Sequence, residues 1–169
     1  LPYNQDWAVQ VDMNVPDNLQ ATGQFSANLA VRNYADFRDS AEWSIEHTGQ
    51  ANQFDADMDV DENSRVVNIN TPTASTHATL RLRWDAAAKK LHYEYDANGP
   101  AGGFAWTELT SKHIDRGETN WQMGAGSSFV ALVSFESQFT GYAVSDNVYL
   151  DNFKIAPLPK ITTHPLPQT

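Results

Sequence analysis

The clearest pattern in the chain is a strict alternation of apolar and acidic residues that runs from Phe54 to Glu62. Successive side chains of a β-strand point to opposite faces, so this period of two predicts a strand with one buried face and one acidic face. The acidic face would carry the Asp residues at positions 55, 57, 59 and 61. The apolar set, which would enter a core, is Phe54, Ala56, Met58 and Val60.

The same period of two recurs along most of the chain and predicts about ten strands at a spacing of about 8 to 15 residues. No segment shows a convincing helical period. Many short strands separated by turn residues are typical of a sandwich or a barrel. We therefore predict an all-β fold, a two-sheet antiparallel β-sandwich of jelly-roll type.

Three local features make this prediction more specific. The turn at Gly23 predicts that the first two strands form a hairpin. The nearly continuous apolar run from Phe129 to Phe135 predicts a central strand that is covered on both faces. A change of phase near Asp151 and Asn152 predicts a β-bulge in the last strand.

The length of 169 residues is that of one domain with one substantial core. From Ala156 onward four prolines occur among fourteen residues, and proline does not continue a central strand. We therefore predict a β-sandwich domain over residues 1–155 and a Pro-rich linker or tail over 156–169. The chain starts at Leu1 instead of Met, so we expect a processed chain or part of a larger one with neighbouring domains.

The formal net charge of -10 opposes binding to phosphate backbones and to anionic lipid surfaces. No apolar run approaches the length of about 18 residues that crosses a bilayer. We therefore expect no nucleic-acid partner and no membrane insertion. The absence of Cys excludes disulfides and thiolate metal sites within the chain.

Segments near both ends and in the middle of the chain resemble a known superfamily. They read WAVQVD at 7–12, LRLRWD at 80–85 followed by LHYEY at 91–95, and VYLDNFKI at 148–155. The chain resembles the concanavalin A-like lectins and glucanases, in their bacterial laminin-G-like or carbohydrate-binding-module branch. This resemblance implies a lectin-like function and a secreted or cell-surface location in a bacterium. Members include lectins, adhesin modules and glycan-cleaving enzymes, so the fold alone does not decide the function.

The acidic row has three interpretations. An EF-hand calcium loop would need Gly where Val60 stands and Glu where Val66 stands. A catalytic pair is compatible with same-face acids about 6.5 to 7 Å apart. The resembling glucanases, however, carry two Glu residues around an Asp, whereas this row has only Glu62 at its edge. A solvated face that discourages edge pairing is the interpretation we favour, and we assign the row no catalytic residue.

A metal site is a further possibility at the two ends of the sandwich domain. Terminal strands often pair in sandwiches of this type, which would bring Asp12 close to Asp151. The two carboxylates would then share a structural calcium ion, or Asn152 would bond to them instead. We predict Asp12 and Asp151 as candidate metal ligands.

Sugar binding uses exposed aromatic rings, since a sugar ring presents an apolar C–H face and polar edges. Most Trp and Tyr residues of the predicted strands lie on the inward phase and are expected in the core. Three others flank Gly-rich or polar loops. We therefore predict that the carbohydrate-binding residues are Trp106, Trp121 and Tyr142.

The function that these observations favour is a non-catalytic carbohydrate-binding module of a secreted or surface bacterial protein. Two alternatives remain open: a polysaccharide-cleaving enzyme, either a glycosidase or a lyase, and a structural or adhesive spacer domain. The position of the acidic row distinguishes them. A recessed groove with aromatic residues nearby favours sugar chemistry, and an open face favours a purely structural role.

Overall fold

The computed structural model describes residues 1–16, 24–49, 51–61, 64–99, 103–137 and 148–157. None of these segments forms a helix with the length and apolar character to cross a membrane. The elements are β1 (Trp7–Asn14), β2 (Phe25–Asn33), β3 (Ser40–His47), β4 (Asn52–Val60), β5 (Ser64–Thr73), β6 (His77–Asp85), β7 (Lys90–Asp96), β8 (Thr107–His113), the short 3-10 helix η1 (Gly117–Thr119), β9 (Phe129–Ser137) and β10 (Tyr149–Pro157).

The strands form two five-stranded sheets. The first sheet has the order β10-β1-β6-β7-β8, and the second has the order β5-β4-β3-β2-β9. All neighbouring strands are antiparallel. The prediction of an all-β, two-sheet antiparallel sandwich of jelly-roll type is therefore confirmed.

The first and last strands pair with each other, as the sequence predicts. Their register shifts between Gln10 and Asp12, because β10 carries one extra residue there. Asn152 lies at this position with a φ of 53°, a left-handed conformation that Asn adopts more easily than most residues. The bulge predicted from the change of phase is confirmed.

The predicted hairpin between the first two strands is wrong. β1 pairs with β6 and β10 of the first sheet, whereas β2 pairs with β3 and β9 of the second. Residues 15–24 connect the two strands, and a connection of that length can cross from one sheet to the other. Alternation shows that each strand buries one face, but it does not identify the neighbouring strand.

The prediction of a central strand at 129–135 is also wrong. β9 lies at the edge of the second sheet, next to β2. Leu132, Val133 and Phe135 keep 37%, 40% and 47% of their surface exposed. An apolar run is compatible with several environments, and burial of both faces cannot be read from periodicity alone.

The last strand continues slightly beyond the predicted domain boundary. Ala156 and Pro157 pair with Ala8 and Trp7 of β1. Because β10 is an edge strand, a proline at its end removes no hydrogen bond that the sheet needs. Residues 158–169, most of the predicted tail, lie outside the described residues.

The core lies between the two sheets and is rich in aromatic rings. Trp7, Trp43 and Trp84 are at most 2% exposed. The apolar half of the acidic strand enters this core as predicted, with Phe54 3% exposed and Met58 fully buried. The burial of each such large apolar side chain stabilises the fold by about 1.5 to 3 kcal/mol relative to leaving it exposed to water.

Two hydrogen bonds cross the core and join the sheets. The indole Nε1 of Trp43 on β3 donates to the carbonyl of Glu94 on β7 over 2.8 Å. In the opposite direction, the hydroxyl of Tyr93 on β7 donates to the carbonyl of Asp57 on β4 over 2.7 Å. The two rings meet edge to face with centroids 6.1 Å apart. The strands β3 and β4 are thereby held against β7 of the opposite sheet.

Candidate functional site

Rows of polar side chains cross the outer face of the second sheet. The register of β3 and β4 sets Glu42 opposite Asp57 and Ser44 opposite Asp55. Directly opposed side chains on one face of an antiparallel pair have Cβ atoms about 4.5 to 5.5 Å apart. One complete row runs from Ser134 through Asn28, Ser44 and Asp55 to Asn70.

These rows surround a cavity of about 390 Å³. Six carboxylates and one arginine line it, together with three uncharged polar residues. The lining residues are Gln24, Ser26, Glu42, Ser44, Glu46, Asp55, Asp57, Asp59, Arg65 and Glu136.

Two smaller cavities share lining residues with this cavity, one towards each end of β4. At one end a cavity of about 270 Å³ adds Gln53 and Asn70. At the other end a cavity of about 310 Å³ adds Arg32, Phe37 and Arg38. We name this continuous surface, defined by the linings of the three cavities, the acidic groove.

The acidic groove corrects our interpretation of the acidic row as a solvated face that discourages edge pairing. β4 is paired on both sides, with β3 and β5, so its acids do not protect a sheet edge. Asp57 keeps only 9% of its surface exposed. The carboxylates of β4 therefore lie in a recess, which is the arrangement that favours ligand chemistry.

Arg65 partly neutralises one side of the groove. Its guanidinium lies 3.1 Å from Oδ2 of Asp57 and 3.7 Å from Oδ1 of Asp59. Arg65 itself is half exposed, so these ion pairs are screened by solvent and contribute little to stability. Most of the carboxylates of the groove remain without a cationic partner of this kind among the described residues.

The floor of the groove contains buried polar atoms that lack hydrogen-bond partners within the described part of the chain. They are Nε of Arg32, Oδ1 of Asp55 and Oδ1 of Asp57. Leaving a buried polar group unsatisfied costs about 1 to 3 kcal/mol. These atoms are thus available to water or to the polar groups of a ligand.

Burial and mutual repulsion make three of the carboxyl groups hold their protons unusually well. Burial, followed by the charge of Glu136, raises the pKa of Glu42 to about 7. Burial, followed by the charge of Asp57, raises the pKa of Asp55 to about 7. Burial raises the pKa of Asp57 itself to about 6, although Arg65 acts in the opposite direction.

An aromatic side chain lies at one end of the groove. Phe37 belongs to the connection between β2 and β3, is 50% exposed and lines the groove beside Arg32 and Arg38. Tyr34 of the same connection is 64% exposed, and its ring centroid lies 6.2 Å from that of Phe37. The sequence analysis missed both residues. The sequence indicates their exposure only through their position in a turn, outside the alternation of the flanking strands.

Trp106 and Trp121, two of the three predicted sugar platforms, do not line the acidic groove. Trp106 precedes β8 of the other sheet, and its ring is covered by the guanidinium of Arg81 at 3.7 Å and stacks on Phe104. Trp121 is only 2% exposed and packs against Phe129, so its expected exposure is wrong. The polar neighbours of Trp121 in sequence gave no sign of this burial. Tyr142 lies outside the described residues.

The candidate metal ligands Asp12 and Asp151 lie directly opposite each other. The two carboxylate oxygens of Asp12 accept hydrogen bonds from the hydroxyl of Thr79 and the side-chain amide of Asn152. Asp151 accepts from the backbone N–H of Asn152 over 2.7 Å. A calcium ion binds to oxygen ligands, whereas here both carboxylate oxygens of Asp12 are already taken up by hydrogen-bond donors. The arrangement therefore fits better the alternative in which Asn152 bonds to the carboxylate. Calcium at this pair stays a prediction.

A second cluster of potential metal ligands lies on the outer face of the first sheet. The ligand atoms of His92, Glu94 and Glu108 are within 4.8 Å of one another. Glu94, however, is paired with Arg81 at 2.6 Å and with Arg83 at 2.9 Å. His92 Nδ1 lies 2.7 Å from Oε2 of Glu108, and Arg83 lies 3.9 Å from the same oxygen, so both carboxylates of the cluster already have partners within the protein.

Comparisons with known proteins concern the fold. The sequence matches no protein-family model and no curated protein. The structure is similar to that of a functionally unknown protein from Saccharomyces cerevisiae, with a TM-score of 0.59 and 10% identity over 93% of this chain and 72% of that chain. It is also similar to galectin-Ib from Xenopus laevis, with a TM-score of 0.45 and 12% identity over 92% of this chain and 95% of that chain.

The raised pKa of Asp55 leads to a prediction about stability. A carboxyl whose folded-state pKa lies above its unfolded value favours the folded state while it is protonated, and this contribution is lost as the pH rises towards about 7. Asp55→Asn should therefore stabilise the protein by roughly 1 kcal/mol near pH 8, after allowance for solvent screening, and by nothing near pH 4. Urea denaturation at both pH values measures the difference.

Glu118→Gln is the control for this measurement, because Glu118 is an exposed carboxylate on η1. It should change stability little at either pH. An Asp55→Asn effect of the same size at both pH values would contradict the raised pKa of Asp55.

Proposed function

We propose that the protein binds carbohydrate in the acidic groove, with Phe37 as the surface on which a sugar ring stacks. The observation that carries this proposal is the combination of one half-exposed aromatic ring with buried, unpartnered polar atoms in the same groove. A sugar needs both, because its C–H face is apolar and its edges carry hydroxyl groups.

The chemistry of the groove suits the hydroxyl groups of a sugar. The carboxylate oxygens can accept hydrogen bonds from hydroxyl groups, and the Nε of Arg32 can donate one. Neighbouring strands hold these groups at fixed spacing, so little side-chain freedom is lost when a ligand binds. The fold resemblance to carbohydrate-binding proteins described from the sequence agrees with this use of the sheet face.

The proposal keeps the module organisation expected from the sequence. On this view the sandwich is a non-catalytic binding domain within a larger secreted or surface protein of a bacterium. Its location and its neighbouring domains stay predictions.

A pair of substitutions distinguishes the acidic groove from the sequence-based platform. Phe37→Ala should weaken binding by about tenfold or more, because it removes the stacking surface, while Trp106→Ala should leave binding unchanged. The measurement is affinity electrophoresis against a panel of neutral and charged polysaccharides, with circular dichroism to confirm folding. Loss of binding in Trp106→Ala but not in Phe37→Ala would place the site on the other sheet.

Glycan cleavage is a second candidate function, and the raised pKa values of Glu42 and Asp57 favour it. A general acid works best when its pKa lies near the working pH. These two residues are directly opposed across β3 and β4, at a separation comparable to that of a catalytic pair. If the protein releases reducing ends from a polysaccharide, Glu42→Gln and Asp57→Asn should each abolish the release without unfolding. Unchanged release in both variants would exclude these roles.

A further inference from the structure

We propose that the glycan bound in the acidic groove is a cationic amino-sugar polymer, with free amines as in a chain of glucosamine units. This inference rests on the proposed carbohydrate site and names its ligand class. Its basis is the charge of the groove, its shape and the hydrogen-bonding capacity of its floor.

The charge of the groove favours a positively charged ligand. Its central cavity holds six carboxylates and a single arginine. A neutral ligand would displace water from these carboxylates without compensating their charge, and a uronate or sulfated glycan would add repulsion. An ammonium group on the ligand instead replaces the lost hydration with a charge-assisted hydrogen bond.

The carboxylates are distributed along the groove and do not converge on one point. Asp55, Asp57 and Asp59 follow one another on the same face of β4, about 6.5 to 7 Å apart. Within the described residues, no three acids of the groove bring ligand oxygens within 4.8 Å of one another. A single metal ion requires such convergence, whereas a polymer with a charge on successive sugar units matches the distributed arrangement.

The floor of the groove offers hydrogen-bond acceptors to the ligand. Asp57 is 9% exposed, and Oδ1 of both Asp55 and Asp57 lacks a partner among the described residues. An ammonium group carries three donors and no acceptor, and it therefore complements such a surface.

The aromatic end of the groove favours a sugar ring over a linear polyamine. Phe37 offers a flat apolar surface that suits the C–H face of a ring. Arg32 and Arg38 line the same end, so the positive charges of the ligand would lie towards Glu46 and Asp55 instead. The ligand is thus oriented with a ring against Phe37 and its amines along β4.

Two oligosaccharides test this inference because they differ mainly in charge. A glucosamine hexamer and its fully N-acetylated counterpart share ring, linkage and length. Isothermal titration calorimetry near pH 7, where the carboxyls of Asp55 and Glu42 are substantially ionised, measures the affinity for each. We expect the free-amine hexamer to bind about tenfold tighter or more. An increase in salt from about 50 mM to about 500 mM should weaken its binding severalfold.

Single substitutions locate the interaction. Asp55→Asn and Asp59→Asn should each weaken binding of the free-amine hexamer severalfold. Glu108→Gln removes the same charge from the opposite sheet and should leave the affinity unchanged. Equal losses in all three variants would show only a dependence on net charge and would overturn the assignment to the groove.

The outcomes separate this inference from the proposed function. If the acetylated hexamer binds as tightly as the free-amine hexamer, the ligand class is wrong and the carbohydrate site stands. If spermine or a lysine homopolymer binds the groove as tightly as the free-amine hexamer, the groove is a general cation site and the amino-sugar assignment fails. If neither these probes nor the polysaccharide panel binds, both proposals fail.

Discussion

The hydrogen bond from Tyr93 to the carbonyl of Asp57 is the interaction on which the rest of the structure depends. It joins the two sheets through the core, and it ends on the residue whose carboxylate lies in the acidic groove. Together with the bond from Trp43 to Glu94, it holds β3 and β4 against β7. Because both bonds are buried, the loss of either would leave an unsatisfied polar group in the core. The packing of the two sheets in the core therefore fixes the positions of the strands that carry the groove residues.

The strand β4 combines two opposite requirements in one alternating sequence. Its apolar residues contribute to the core, whereas its acidic residues crowd a recess in which charge is unfavourable. The raised pKa values of Glu42 and Asp55 show that burial disfavours the charged form of these carboxyl groups. Binding sites often retain arrangements that lower stability, because the ligand supplies the missing partners. A ligand with positive charge would relieve the burial of these carboxylates, which is why charge carries our inference about the ligand class.

The sequence predicts the parts of this structure that depend on one strand at a time. The alternation from Phe54 to Glu62 correctly identifies the buried and the acidic faces of β4. Strand pairing and exposure depend on residues far apart in the chain, and here local patterns were insufficient. The edge position of β9 and the burial of Trp121 were missed for this reason. Phe37 was missed because a turn residue has no periodicity, and only the folded sheet shows that it lines the groove.

The central claim is that the ligand lies in the acidic groove of the second sheet. Amide chemical-shift mapping by NMR during titration with the glucosamine hexamer tests this claim most directly. We expect the largest shifts at Phe37, Ser44, Asp55 and Asp57, with β6 to β8 unaffected. Saturable shifts confined to the opposite sheet, around Arg81 and Trp106, would contradict the account.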